Sequence, residues 1–76
     1  MWQEKDNSIV KNFSFKNFVD AVDFVNKVAE LAEKANHHPD ILIHGYKNVQ
    51  ITLSTHSEGG VTEKDHALAK QIDTLI

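Results

Sequence analysis

The segment Glu33–Asp40 carries the densest group of chemically useful side chains in the chain. It contains two adjacent histidines, His37 and His38, followed by Pro39, with a carboxylate at each end of the segment. An unperturbed imidazole has a pKa of about 6.5 and so gains or loses a proton near neutrality. Two such groups at a helix end predict acid and base catalysis on a small molecule. The simpler alternative is a solvated histidine pair in a polar loop.

His56, which follows a predicted strand, extends this candidate site. In the expected fold its loop and the His37-His38 loop could face one another across a cleft. A metal site is a competing hypothesis, because the three histidines with Glu33 and Asp40 nearby could supply ligands. Their spacing matches no common zinc pattern, however, and neighbouring residues of an extended chain point in opposite directions.

Four other polar residues have simpler interpretations. His44 falls on the solvent face of a predicted strand, and His66 lies in the first turn of a helix, where a cation gains nothing from the helix dipole. Asp65 is explained by helix capping. Tyr46 is interpreted as a sheet-packing residue with a solvated hydroxyl, or alternatively as an aromatic wall for a flat ligand.

Composition narrows the classes of protein that fit. The 76 residues, with 41% hydrophobic residues and no cysteine, predict one compact domain over residues 1–76 without disulfides. A formal net charge of -3 with scattered basic residues argues against nucleic acid as a partner. No stretch has the roughly 20 apolar residues of a membrane helix, and the start of the chain lacks the apolar run of a signal peptide. The expected location is therefore cytoplasmic.

The first half of the chain predicts two strands and a long helix. The run Ser8–Phe15 alternates apolar and polar residues apart from Lys11, and the turn signal before it makes Trp2–Lys5 a candidate partner strand. Asn17 is the expected N-cap of the helix. The apolar positions at helical spacing are Phe18, Ala21, Val22, Val25, Val28, Ala29 and Ala32.

The second half predicts a hairpin and a second helix. Pro39 should end the first helix by about His37, because it excludes the preceding residue from the α region. Strands are expected at Ile41–Tyr46 and Val49–Ser54, with a turn near Lys47-Asn48 and a loop after His56. Thr62 and Asp65 have capping-box spacing. The helix that they open has Ala67, Leu68, Ile72 and Leu75 as its apolar positions.

The resulting order is strand, strand, helix, strand, strand, helix. A four-stranded antiparallel sheet with both helices on one face would bury the apolar side of each helix. This arrangement is an α+β fold. Trp2–Lys5 and Ile41–Tyr46 are the weaker strands and the expected sheet edges. Unpaired edges in so short a chain predict a homo-oligomer.

The types and spacing of several residues along the chain resemble those of a known family. Glu33, His37-His38-Pro39, Tyr46, His56 and Asp65 are spaced as in the signature of the pterin-4a-carbinolamine dehydratases. The similarity also covers segments outside that signature, including Phe13–Phe18 and Val49–His56. Such proteins dehydrate 4a-hydroxytetrahydropterin to the quinonoid dihydropterin without a metal or an organic cofactor.

The resemblance implies roles for individual residues. His37 and His56 match the catalytic histidines, Asp65 matches an acidic residue of the site, and His38 matches a histidine that positions the pterin. The positions that line the pterin site in the family correspond to Pro39, Thr55, Ser57 and Glu58. The resemblance also implies a homodimer or homotetramer. Two other classes remain open, a non-catalytic dimerisation module of the same fold and a metal-dependent hydrolase that uses the same histidines.

Overall fold

The computed structural model describes all residues 1–76 and confirms the predicted α+β fold and element order. Four strands form one antiparallel sheet in the spatial order β1-β2-β4-β3, so β1 and β3 are its edges, as expected. The regular elements are β1 (Gln3–Lys5), β2 (Ser8–Ser14), α1 (Phe18–Ala35), β3 (Asp40–His44), β4 (Asn48–Leu53), a short 3₁₀ helix (His56–Glu58) and α2 (Glu63–Asp73).

One face of the sheet packs against both helices. Along the central strand β4, buried residues alternate with half-buried polar ones, because successive side chains of a strand point to opposite faces. The core is formed by eleven buried residues: Ile9, Phe13, Ala21, Phe24, Val28, Val49, Ile51, Leu53, Leu68, Ala69 and Ile72. Neither helix combines the length and apolarity that crossing a membrane requires.

Lys11, the residue that interrupts the apolar alternation of β2, is accommodated at the edge of the core. Its ammonium group lies 5.0 Å from the centre of the Phe13 ring and 2.9 Å from Oδ1 of Asp73 in α2. The indole N–H of Trp2 donates to the same carboxylate. A lysine is tolerated here because its stem packs on an apolar surface while its charge reaches a partner at the rim.

The buried face of α1 differs from the predicted stripe. Phe24 is buried and was not predicted, whereas Phe18 and Ala29 belonged to the predicted stripe and are exposed. Phe24 packs between Phe13 and Phe15, with ring centres 4.7 and 5.0 Å away. Several apolar positions on α1 satisfy helical spacing, and the rings of Phe13 in β2 and Phe15 just after it determine which of them are covered.

The prediction for α2 was partly wrong for the same reason. Ala67 is exposed and Ala69 is buried, because the core lies against the face that carries Leu68, Ala69 and Ile72. Leu75 lies beyond the end of the helix and is half-buried against the core.

The turn between β3 and β4 comes earlier than predicted. It comprises Gly45, Tyr46 and Lys47, with Asn48 already in β4. Gly45 and Tyr46 both have positive φ values of 55° and 54°, and a Cβ on Gly45 would lie only 3.0 Å from the Asn48 side chain. Tyr46 is therefore an exposed turn residue rather than a sheet-packing one.

Candidate functional site

The first side of the site is formed where α1 ends. Asn36 adopts the left-handed conformation with φ of 50°, and its backbone N–H bonds back to the last turn of the helix. The backbone N–H of His37 also returns to the carbonyl of Ala32, at 3.1 Å. Asparagine tolerates this conformation better than most residues, so the helix stops here and Pro39 only prevents its continuation. The chain leaves the helix here, and the His37 side chain contacts Asp65.

Asp65 in the first turn of α2 is fully buried and is the partner of His37. His37 Nε2 lies 2.5 Å from Asp65 Oδ1. The other carboxylate oxygen, Oδ2, accepts hydrogen bonds from the Thr55 hydroxyl and from the backbone N–H of Thr62, both at 2.9 Å. The predicted capping box is therefore present, and the capping residue also holds an imidazole.

These contacts determine the charge of Asp65. Burial raises the pKa of its carboxyl, but hydrogen bonds from His37, Thr62 and Thr55 favour the charged form and together hold the pKa below its usual value. Asp65 is thus ionised at neutral pH, and its oxygens can only accept hydrogen bonds. It follows that the proton shared with His37 belongs to Nε2 of the imidazole, which leaves Nδ1 free of Asp65.

Two threonines fix the orientation of the Asp65 carboxylate. The Thr55 hydroxyl gives its one proton to Asp65, so the 2.8 Å contact between the two hydroxyl oxygens is a bond donated by Thr62. Thr62 in turn accepts from the backbone N–H of Lys64. No buried polar side-chain atom is left without a partner. The Thr55 side chain is therefore committed to Asp65. Its backbone is also engaged within the loop, because its N–H donates to the carbonyl of Gly60 and its carbonyl accepts from the N–H groups of Glu58 and Gly60.

His38 and His56 are more open to solvent than His37. Nε2 of His38 lies 2.6 Å from Oε2 of Glu33 in the last turn of α1, and both side chains are exposed. His56 begins the 3₁₀ helix that follows β4, and its side chain is exposed. His44 ends β3 on the opposite end of the hairpin, and His66 is exposed in α2, so neither joins the other histidines.

A polar cavity of about 300 Å³ brings most of the predicted residues together. It is lined by Asn36, His37, His38, Ser54, Thr55, His56, Ser57 and Lys64. Asp65 lies behind His37, and Pro39 and Glu58 are outside the lining. The side chains form no group of three or more His, Asp and Glu residues that could hold a metal ion.

Three lining residues were not predicted. The sequence did indicate the conformation of Asn36, because an asparagine directly after a helix often adopts the left-handed conformation that ends the helix. Ser54 is the last polar residue in the alternation of β4, which indicates its face but not its position beside a cavity. Lys64 lies within the capping sequence of α2, and nothing in the sequence indicated that it lines a cavity.

Comparisons with known proteins identify the family that this chain resembles. Residues 1–75 match the profile of the family described as pterin 4 alpha carbinolamine dehydratase. A protein from Picosynechococcus, named "Putative pterin-4-alpha-carbinolamine dehydratase", is 53% identical over 97% of this chain and 79% of its own length. A protein of the same name from Sulfolobus acidocaldarius is 49% identical, over 97% and 80% of the two chains.

Two solved structures share the fold. The transcriptional coactivator/pterin dehydratase from Brucella melitensis has a TM-score of 0.89 and 41% identity, over 96% of this chain and 79% of its own. A pterin dehydratase-like protein described as a RuBisCO assembly factor in the alpha-carboxysome has a TM-score of 0.77 and 29% identity, over 99% and 86%. The profile match over nearly the whole chain and relatives with about half of their residues identical confirm the resemblance, and the chain belongs to the pterin-4a-carbinolamine dehydratase family.

Proposed function

We propose that the protein dehydrates 4a-hydroxytetrahydropterin to the quinonoid dihydropterin by histidine acid and base catalysis. One observation carries the proposal beyond family membership. His37, held by the buried carboxylate of Asp65, lines the same polar cavity as His56. Two imidazoles beside one small cavity are suited to moving two protons on one bound molecule.

The reaction needs one acid and one base. The bond between C4a and the hydroxyl oxygen breaks, a double bond forms between C4a and the adjacent ring nitrogen, and water leaves. The leaving oxygen takes up a proton while the ring nitrogen loses one, so protons balance overall. His37 and His56 fill these two roles, and each proton transfer contributes typically about 10²- to 10⁴-fold to the rate.

The hydrogen bond to Asp65 prepares His37 for this role. A neutral His37 that keeps its proton on Nε2 presents an unprotonated Nδ1, which accepts a proton from the substrate. The imidazolium that then forms is stabilised by the Asp65 carboxylate. Because the Asp65 carboxylate is fixed by Thr55 and Thr62, the imidazole ring is oriented before the substrate binds.

Other predicted residues bind rather than react. His38, oriented by Glu33 at the cavity wall, positions the pterin. The polar edge of the pterin ring bonds to backbone groups between Thr55 and Glu58 and to the Ser57 hydroxyl. Pro39 shapes the approach to His38 by restricting its backbone.

The direct test is a dehydration assay with synthetic 4a-hydroxytetrahydropterin, followed by the absorbance of the quinonoid product. We expect the protein to accelerate dehydration over buffer, with equal rates before and after treatment with a chelator. Acceleration that a chelator abolishes would favour the metal-dependent hydrolase. Absence of any acceleration would contradict the proposal.

A second candidate is a non-catalytic interaction module of the same fold. It is favoured by the neighbour of 29% identity that is described as a RuBisCO assembly factor. A titration with a stable oxidised pterin separates the two functions. A dehydratase should bind the pterin and turn over the carbinolamine, whereas a module should do neither.

A further inference from the structure

Lys64 is the only lysine in the lining of the polar cavity that His37, His38 and His56 share, and no aspartate or glutamate lines this cavity with it. Its ammonium group forms none of the ion pairs of the chain. It also makes no hydrogen bond to another side chain or to the backbone. The cavity thus contains a cation that nothing in the protein neutralises.

Helix stability does not explain a lysine at this position. Lys64 is the second residue of α2. The start of a helix carries a partial positive charge, which disfavours a cation there. The capping box of Thr62 and Asp65 already caps this end of the helix without the lysine side chain. The simpler alternative is a solvated surface lysine, whose removal would leave ligand binding unchanged.

The backbone of Lys64 belongs to the network that holds His37. Its N–H donates to the Thr62 hydroxyl at 3.3 Å, and the next residue, Asp65, contacts Nε2 of His37. The Lys64 side chain therefore enters the cavity from the residue next to the one that holds the imidazole. A substrate that contacts His37 is within the space that Lys64 lines.

An ammonium group has three N–H donors and no acceptor, so it can bind only an acceptor atom of the substrate. In the carbinolamine, the ring carbonyl is on the carbon next to C4a, and its oxygen lies alongside the ring nitrogen that loses its proton. The acceptor nitrogens of the ring lie on the opposite edge. When His37 and His56 contact the hydroxyl and the reacting nitrogen, the carbonyl oxygen is the acceptor left on the same edge.

We propose that the Lys64 ammonium group donates a hydrogen bond to the ring carbonyl of the bound pterin and selects for a carbonyl over an amino group at this position. The inference rests on the proposed function, which puts C4a beside His37 and His56. The carbonyl is present in the substrate and in the transition state alike, so the contact contributes to binding rather than to the chemical step.

The test compares the binding of two stable compounds, pterin itself and the diaminopteridine in which an amino group replaces the ring carbonyl. In Lys64→Met, the affinity for pterin should fall about tenfold, the loss of a hydrogen bond to a charged group. The affinity for the diaminopteridine should not fall, because its amino group offers the ammonium a donor instead of an acceptor. The exchange also alters the adjacent ring nitrogen, so the decisive quantity is the change in the affinity ratio between the two proteins.

Two further variants serve as controls. Lys64→Arg keeps a cationic donor and should keep the preference for pterin. Lys70→Met removes an exposed lysine of the same helix that lies outside the cavity, and it should leave both affinities unchanged. Thermal melting of Lys64→Met should show no loss of stability, since a cation at the start of α2 does not stabilise the helix.

Kinetics with the carbinolamine separates binding from chemistry. Lys64→Met should raise KM about tenfold and leave kcat unchanged, the pattern of an interaction made equally in the ground state and the transition state. A lower kcat at unchanged KM would overturn the carbonyl contact, because Lys64 would then act on the leaving oxygen.

The same affinity ratio in the wild-type and Lys64→Met proteins, with dehydration intact, would overturn the contact while the proposed function stands. Selectivity that depends on Lys64 without dehydration of the carbinolamine would support the contact and overturn the proposed function. Failure of the wild-type protein to bind pterin would overturn both.

Discussion

Asp65 shows how one buried carboxylate can serve two elements. Its Oδ2 caps α2 through Thr62, and its Oδ1 holds the His37 imidazole at the end of α1. Full burial would be unfavourable for an unpaired charge, but three donors surround this one. The contact therefore links the stability of the fold to the orientation of the proposed catalytic group.

Asp65→Asn should lower the free energy of unfolding at neutral pH by about 1–3 kcal/mol, since it weakens hydrogen bonds to a buried charge. The pKa of Asp65 is depressed in the folded state, so its stabilising effect is complete above the unfolded value of 3.8 and is lost as pH falls through the lower folded value. Urea denaturation across this range should show the difference between the two proteins shrinking below pH 3.8. A difference independent of pH would contradict the assignment.

His37→Ala and His56→Ala should each lower kcat for dehydration by at least about a hundredfold, the loss of one acid or base. His44→Ala is the matched control, because His44 is an exposed histidine at the far end of the β3–β4 hairpin. Melting followed by circular dichroism checks that the three variants fold. Wild-type rates in both cavity variants would refute the catalytic assignment.

At the scale of elements, the end of α1 determines where His37 lies. Asn36 in the left-handed conformation stops the helix directly before the histidine. A helix one turn longer would carry the imidazole away from Asp65. The asparagine is therefore as important for the geometry of the site as Pro39, which lies further along the chain.

Asn36→Ala should destabilise the protein by about 1–2 kcal/mol, because a Cβ-bearing residue without a polar side chain resists the left-handed conformation. It should also lower dehydratase activity, since His37 follows directly. Asn36→Gly is the matched control and should retain stability, because glycine adopts this conformation without steric cost. Thermal melting and the dehydration assay measure the two effects. Equal stability of the alanine and glycine variants would contradict this role.

At the scale of the whole molecule, both edges of the sheet are unpaired within the chain. The edges differ in character. β1 has three exposed residues that include Glu4 and Lys5, whereas β3 carries Ile41, Leu42 and Ile43, with Leu42 54% exposed. Charged residues discourage edge pairing and apolar ones permit it, so β3 is the better candidate for contact with a second copy.

We therefore predict a homodimer or homotetramer whose melting temperature falls on dilution, since association stabilises the folded state by mass action. Light scattering should report a mass above that of one chain. Leu42→Lys should shift the distribution toward the monomer, while Glu4→Gln on the other edge should not. A wild-type monomer with a melting temperature independent of concentration would contradict this prediction and would leave the catalytic proposal intact.

Local patterns in the sequence were sufficient for the order of the elements and for the three histidines of the cavity, and the family resemblance added Thr55 and Ser57. Alternation along β4, the caps Asn17 and Thr62, and the helix stop near His37 all depend on neighbours in the chain, and the structure confirms them. The spacing of Glu33, His37, Tyr46, His56 and Asp65 resembled that of one family, and the comparisons confirm the resemblance. The lining by Asn36, Ser54 and Lys64 depends on which loops meet, and spacing alone does not contain that information.

Tertiary structure determined the burial or the position of residues for which the local sequence allowed more than one arrangement. Phe24 rather than Phe18 faces the core because its ring packs against the rings of Phe13 and Phe15. Tyr46 lies in a turn because Gly45 accepts a positive φ there.

The hydrogen bond between His37 and Asp65 joins residues that are 28 positions apart. Only the packing of α1 beside α2 brings the end of one helix to the start of the other. Periodicity specifies which side of an element is buried, but contacts between distant segments are set by the packing of the complete chain.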